Sequence, residues 1–392
     1  MHKCDGMLME TPDERSKPKR MRFAREDVLV KIEEAISNIV HQLSKGIPPT
    51  LTYPSTTAWG DVCFNEDLGL QMRPNQRQTT IRFESLQSLK KFGMMLKVLA
   101  VMYRLVKTNH YCTKRDLYYQ DPTVFGNQHT LDSLVNNIAC MLGVPRWHLH
   151  VLASSKGCIA GDLMFEDADN NYIDCRNSQM KTIHMYRQEK YECIKGIQVP
   201  NHVTGIHNIV TCARFILVVE KDATFQKLLE DKVCNTLGPC ILITGKGFPD
   251  VNTRMLLRRL WDMFSIPMMA LVDADPHGVE IMTVYKFGSR ALAFETCYMA
   301  VPSLKWLGLL PSDIESIGIP KKALIPLTKA DQDKGAELLY RPYMQHYPAW
   351  KLQVEYLLRT DKKAEIQSLD SIGPSFLSEV YLPSKMRCCG WI

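Results

Sequence analysis

The sequence has no CxxC pair among its thirteen cysteines. Zinc sites draw ligands from short paired spacings, so these scattered thiols read as reduced structural residues. The GxxxxGK phosphate loop followed by Ser or Thr is absent, and no other ATP-binding loop is evident. Long apolar runs are missing as well. The most apolar stretch, GMMLKVLAVMYRLV over Gly93–Val106, carries Lys97 and Arg104. A membrane span needs about 20 mostly apolar residues, so this stretch reads as a buried helix and no membrane association is expected. The first residues, MHKCDGMLMETPDERSK, contain no apolar core of signal-peptide length, and an intracellular protein is expected. Internal repeats and low-complexity tracts are absent. DADNN, which precedes YID, is not an EF-hand loop. Tyr172 stands where the sharp bend needs glycine, and Ser178 where a bidentate Glu belongs.

What is present suits a globular chain. The 392 residues are 45% hydrophobic, enough for two or three domains. Net charge is +6, which permits a polyanionic partner without demanding one. The densest basic run, KPKRMR over Lys17–Arg22, can be a nuclear-import signal or part of a polar, disordered tail covering residues 1–22.

A helical pattern follows. Val28, Ile32, Ala35, Ile36, Ile39, Val40 and Leu43 recur at three- and four-residue steps, and Gly46 with Pro48-Pro49 ends them. This helix either packs on its own domain or docks another subunit. A long helix is predicted from Ser85 to Val106. Thr113 and Asp116 resemble a capping box, so KRDLYY opens a short helix closed by Pro122 and Gly126. A third helix runs from Thr130 to Leu142, with Gly143 as its C-cap. HLHVLA, CIAG and DLMFE read as strands. Short helices followed by a β-hairpin are the order of a winged helix-turn-helix.

From residue 214 the texture changes. FILVV, CILIT and MMALVD are short apolar strands separated by helical patterns, which predicts βαβ units and a parallel sheet. Ligands of such sheets bind beyond the carboxyl ends of the strands. Glu220 follows the first strand, and Asp273 and Asp275 follow the third. Three carboxylates there need a cation, and hard oxygen ligands suit Mg2+. The plainer alternative is that Asp275 caps the helix starting near Pro276 and Glu220 is solvated. The loop GKGFPD over 245–250 lets backbone approach a phosphate, with Lys246 adding charge. Arg254 and Arg258, one turn apart, line a phosphate track or simply face solvent. Arg115 and Tyr119 share one helix face, and Lys114 and Tyr118 the next. A nearby cation favours a phenolate and can hold a phosphate. A tyrosine attacking a phosphodiester gives a phosphotyrosyl link that conserves bond energy without ATP. Packing tyrosines at a core edge are the alternative.

Taken together, RDLYY, SSKGCIAG, VVEKDATFQKLL, ITGKGFPD and LVDADPHGVEIM resemble, in that order, the A subunit of topoisomerase VI. They are most similar to its eukaryotic meiotic relative of the sporulation-eleven type. The resemblance covers roughly residues 85–392. It implies an α/β multidomain chain in which a winged-helix domain precedes a Toprim domain. The expected division is a tail over 1–22, an N-terminal helix and extension over 23–82, and a winged-helix domain over 83–165. A linker or insertion over 166–206 and a Toprim domain with a helical extension over 207–392 complete it. The resemblance implies that Tyr119 is the nucleophile, supported by Arg115, and that Glu220, Asp273 and Asp275 hold Mg2+. It implies that Lys156 and the loop with Lys246, Gly247 and Phe248 contact double-stranded DNA, with Arg254 beside them. It further implies a homodimer in which the tyrosine of one protomer works with the metal site of the other. Each chain is then linked to a 5′ end. The helix over 23–46 is the expected dock for a topoisomerase VI B-like subunit, since the chain lacks an ATP site. The expected setting is the nucleus, on meiotic chromosomes. Two alternatives are a type IIB topoisomerase component that reseals its breaks and a non-catalytic DNA-binding scaffold. A Toprim-type primase is a third, against which the missing zinc-ribbon cysteines argue. The stretch RNSQMKTIHMYRQEKYEC over 176–193 departs from the family pattern.

Overall fold

The computed structural model describes residues 23–177 and 196–392. The tail over 1–22 and nearly all of the 176–193 stretch lie outside the described residues. Helix α1 spans Arg25–Ser44 and buries Val28, Ile32 and Ile39. Strands β1 (Thr50–Pro54) and β2 (Gln78–Arg82) pair antiparallel. Helix α2 spans Leu86–Thr108, with Asn109 in the left-handed conformation at its end. Helices α3 (Lys114–Gln120) and α4 (Gln128–Leu142) follow, the latter ended by left-handed Gly143. The apolar stripe spaced for α2 becomes a core of Met95, Val98, Leu99 and Met102 against Leu131, Leu134, Val135 and Ile138 of α4. Each such buried side chain contributes about 1.5–3 kcal/mol over exposure.

The second unit is built on a six-stranded mixed sheet. Its strands are β3 (Cys158–Gly161), β4 (Ile197–Gln198), β5 (Phe215–Val219), β6 (Cys240–Thr244), β7 (Met268–Leu271) and β8 (Lys305–Gly308), in spatial order β4-β3-β6-β5-β7-β8. β6, β5, β7 and β8 run parallel, so FILVV lies at the centre of the parallel set. Side chains alternate along a strand, and this divides the core in two. Ile216 and Val218 face a layer with helices α6 (Val251–Phe264) and α7 (Pro276–Phe287). Phe215, Leu217 and Val219 face α5 (Asp222–Glu230) and the C-terminal Ile366, Leu369 and Leu377. Both faces being covered explains the unbroken apolar runs. The C-terminal Ile392 exchanges two backbone hydrogen bonds with Trp306 on the edge strand β8.

Three segments add to or differ from the sequence reading. The strands expected to form one hairpin after α4 separate. Val151–Leu152 pairs in parallel with Cys112–Thr113, CIAG joins the large sheet as β3, and Met164–Glu166 pairs with Tyr172–Asp174 and His207–Val210. The reason is burial: Ile159 and Ala160 are wholly inaccessible, which suits an interior strand and not a solvated wing. Within the stretch read as linker, DADNN makes the expected turn, with Asp167 accepting from the amides of Asp169 and Asn171. Ile197–Gln198 then adds an edge strand to the main sheet. Finally, the segment between β1 and β2 forms a hairpin, Val62–Asn65 with Gly69–Met72, that packs on the second unit through Val62 and Leu70. A Cβ on Gly69 would lie 2.4 Å from the carbonyl oxygen of Phe287, so only glycine fits there. Among the described residues no helix is long and apolar enough to cross a membrane.

Candidate active site

The tyrosine pair sits where α3 begins and ends quickly. Thr113 Oγ1 accepts from the amide of Asp116 at 3.1 Å, and Asp116 accepts from the amide of Thr113 at 3.0 Å, closing the predicted capping box. Leu117 points into the core at 1% exposure. Tyr118 is half-buried against that core and donates to the carbonyl of Gly126 at 3.3 Å. Tyr119 is 65% exposed and its hydroxyl has no partner among the described residues. The two rings meet edge to face with centroids 5.4 Å apart. Arg115, one turn before Tyr119, is exposed and free of ion pairs among the described residues. Lys114 is turned inward towards Asp132 at 3.4 Å, and burial pushes its pKa down to about 8. Of the two tyrosines, Tyr118 is the packing residue and Tyr119 the free one.

The acids lie at the carboxyl ends of the adjacent strands β5 and β7. Glu220 and Asp273 are buried at 7% and 3% exposure. Glu220 Oε2 accepts from the amide of Asp273 at 2.8 Å. Asp273 Oδ1 accepts from the amide of Ile366 at 2.8 Å, and its Oδ2 pairs with Lys221 at 2.8 Å. Burial, followed by the charge of Asp273, pushes the Glu220 carboxyl up to about 8. Burial also raises Asp273, against the opposing pull of Lys221. Asp275 caps α7 by accepting from the amide of Gly278 at 2.6 Å. A Cβ at Gly278 would meet the carbonyl oxygen of Asp273 at 2.4 Å and Glu220 Oε2 at 3.1 Å, so glycine lets the helix start close to the acids. Glu220 and Asp273 are thus brought together, whereas Asp275 is engaged by its own helix. Among the described residues no three carboxylate, imidazole or thiol groups converge as a ready metal cage. The donor chemistry nevertheless fits a hard cation. Two buried carboxylates repel each other, and Lys221, also paired with Glu365 at 3.1 Å, supplies only part of the compensating charge.

The loop after β6 is pinned to the same place. Lys246 and Gly247 both take positive φ, 53° and 87°, and the Gly247 amide donates to the carbonyl of Glu220 at 2.8 Å. Lys246 pairs with Asp222 at 3.3 Å. Lys156 is exposed, and its ammonium donates to the carbonyl of Lys246 at 3.2 Å. Phe248 is 46% exposed. Sequence reasoning missed the residue that joins these loops. Asp250 caps α6 through the amide of Thr253 at 2.9 Å and accepts from the amides of Lys156 and Gly157, each at 3.1 Å. Its position before a helical pattern signalled the cap, but nothing local signalled the second loop. Lys221, Glu365 and the Ile366 amide were missed for the same reason. Arg254 and Arg258 correct the solvent-facing alternative offered for them. They are 2% and 1% exposed, because the face of α6 that carries them packs inward, so neither faces open solvent, and Arg254 reaches only the wall of a cavity.

A mixed sheet with acids at the ends of its parallel strands, joined to a helical unit displaying a free tyrosine, defines the class. Residues 215–386 match the family model for the Toprim domain of the topoisomerase 6 A subunit/Spo11, and residues 90–151 match that described as type IIB DNA topoisomerase. The chain is 45% identical to meiotic recombination protein SPO11 of Mus musculus, over 93% of this chain and 89% of that protein. It is 34% identical to the DNA topoisomerase 6 A subunit of Arabidopsis thaliana, over 93% of this chain and 81% of that protein. The chain belongs to the family of Spo11 and the topoisomerase 6 A subunit.

Proposed function

We propose that this chain makes meiotic DNA double-strand breaks by transesterification and so initiates homologous recombination. The observation that carries the reading is the free, exposed hydroxyl of Tyr119 one helical turn from Arg115, which has no ion pair among the described residues. The Tyr119 oxygen attacks a backbone phosphorus, a phosphotyrosyl bond forms at the 5′ side, and the bond to the 3′ oxygen breaks. The proton lost by the phenol is matched by the one the 3′ oxygen gains. Arg115 stabilises the charge on the phosphorane. Glu220 and Asp273 would hold Mg2+, with Asp275 as the third carboxylate beside them. When bound, the ion supplies positive charge towards the leaving 3′ oxygen. Lys156, Lys246, Gly247 and Phe248 contact double-stranded DNA, as their shared, Asp250-anchored loops support. The unit carrying Tyr119 meets DNA as a helix-turn-helix, with α4 and the preceding turns as its core.

Two protomers cut together, the tyrosine of one serving the acidic site of the other, on chromosomes in the meiotic nucleus. A topoisomerase VI B-like subunit docks on α1, where Val40 and Leu43 remain 58% and 54% exposed. Recovery of the protein from meiotic cells under denaturing conditions tests the reading. DNA should remain attached, and digestion should leave phosphotyrosine at residue 119 joined to a 5′ end. Protein without attached DNA, from cells shown to be making breaks, would favour a non-catalytic scaffold.

A further inference from the structure

The interior beside the 245–250 loop holds a cation that makes no salt bridge among the described residues. Arg254 is 2% exposed, and its Nε and Nη2 have no hydrogen-bond partner among those residues. Burial pushes its pKa down to about 10, the charge of Arg146 adds to the effect, and the more distant carboxylates of Glu295 and Asp250 only partly oppose it. A buried guanidinium with unserved donors is costly, and proteins keep one where something else supplies the partner. Arg254 lines an open cavity of about 420 Å³, within the size range of small-ligand sites. Arg290 lines it as well, half-buried and without an ion pair among the described residues, its guanidinium 5.4 Å from the Trp59 ring centroid. The remaining charges nearly cancel. Arg341 bonds Glu280 and Glu337 at 3.1 and 2.8 Å, and Lys334 reaches the same two carboxylates at 3.0 and 3.7 Å. Four cationic and two acidic side chains therefore line the cavity, and the excess of two positive charges rests on Arg254 and Arg290.

We propose that this cavity binds a phosphate group, with Arg254 as its buried donor and Arg290 as its outer one. Guanidinium donors match phosphate oxygens in number and plane. Phe248, which also lines the cavity, offers a face for a base carried by that phosphate. The phosphate is a free anion or one belonging to the duplex, and only the second source rests on the DNA-cutting reading.

The test uses the full-length protein and two probes. Thermal melting with inorganic phosphate is compared with chloride at equal ionic strength. Phosphate should raise the melting temperature of the wild type. Arg290→Gln should weaken the half-saturating concentration about tenfold or more. Arg254→Gln should abolish the shift, and without phosphate it should melt no lower than the wild type, because a buried guanidinium with unserved donors has been removed. Should Arg254→Gln fail to fold, Arg290→Gln carries the test alone. The second probe is the salt dependence of duplex binding. A duplex phosphate in the cavity lowers the slope of log K against log salt by about one in Arg290→Gln. An unchanged slope with a lost phosphate shift assigns the site to a free anion. No phosphate shift in the wild type, together with an unchanged slope in Arg290→Gln, overturns the proposal. Because melting in phosphate needs no DNA, failure of the DNA-cutting reading would be seen separately.

Discussion

Tyr118 and Tyr119 differ by one position and about 100° of helix rotation, and that rotation decides their roles. Tyr118 lays its ring on the core and its hydroxyl on Gly126, whereas Tyr119 touches Tyr118 edge to face and keeps its hydroxyl unpartnered among the described residues. The acidic pair is the reverse case, two charged groups held inside the fold. Glu220, raised to about 8 in the fold, has an unfolded value near 4.3. The folded chain therefore binds more protons than the unfolded one between those values. This contribution to stability is full below about pH 4.3 and is lost as pH rises through about 8. In metal-free buffer, wild type should lose stability relative to Glu220→Gln between about pH 5 and pH 9, measured by denaturant unfolding, and Mg2+ should flatten the difference. A difference independent of pH would remove the case for a buried, repelled carboxylate. Asp250 gives a second prediction at this scale. Asp250→Ala loses a helix cap and leaves two amides unserved, which costs about 2 kcal/mol or more. Its melting temperature should fall and its duplex affinity with it, since both loops lose their anchor. Unchanged melting would show that the loops hold themselves.

Much of the architecture was legible element by element because local signals and tertiary demands agree. The capping box at Thr113, the glycine end at Gly143 and the apolar stripes of α1 and α4 all describe their helices well. The unbroken runs FILVV and CILIT marked a sheet covered on both faces. What escaped depends on partners distant in sequence. CIAG looks the same as a wing strand or as a sheet strand, and only its pairing with β6 decides. The acids and the tyrosine were legible as residue types at the right ends of elements. Asp275 as a cap was visible as an alternative, whereas the hold of Ile366 on Asp273 was not. Helix α1 buries Val28, Ile32 and Ile39 on its own unit, the first of the two readings offered for it. It also leaves a groove of about 550 Å³ between itself and α2, lined by Ile36, Leu96, Leu99 and Tyr103. Val40→Glu with Leu43→Glu should abolish capture of the B-like partner and leave the melting temperature within about 1–2 °C, because both side chains are already exposed. Retained binding, measured by co-purification, would move the dock elsewhere.

At the scale of the whole molecule, the two units are joined by a buried ion pair. Arg146, just after α4, donates to Glu295 through its amide at 3.0 Å, its Nε and its Nη2, and both side chains are 3% exposed. Removing one member of such a pair costs about 3–5 kcal/mol. The pair, with the Val62–Met72 hairpin, ties the tyrosine unit to the acid-bearing sheet within one chain. The proposed chemistry nevertheless unites a tyrosine and an acidic site from different protomers. The most direct measurement is complementation between two inactive variants, Tyr119→Phe and Glu220→Gln, expressed together in cells that form breaks. Each alone should leave no DNA attached to protein. Their mixture should produce single-strand breaks with only the Glu220→Gln chain covalently attached, since one composite site keeps both its tyrosine and its acids. No attachment in the mixture while wild type cuts, or attachment to Tyr119→Phe chains, would contradict the account.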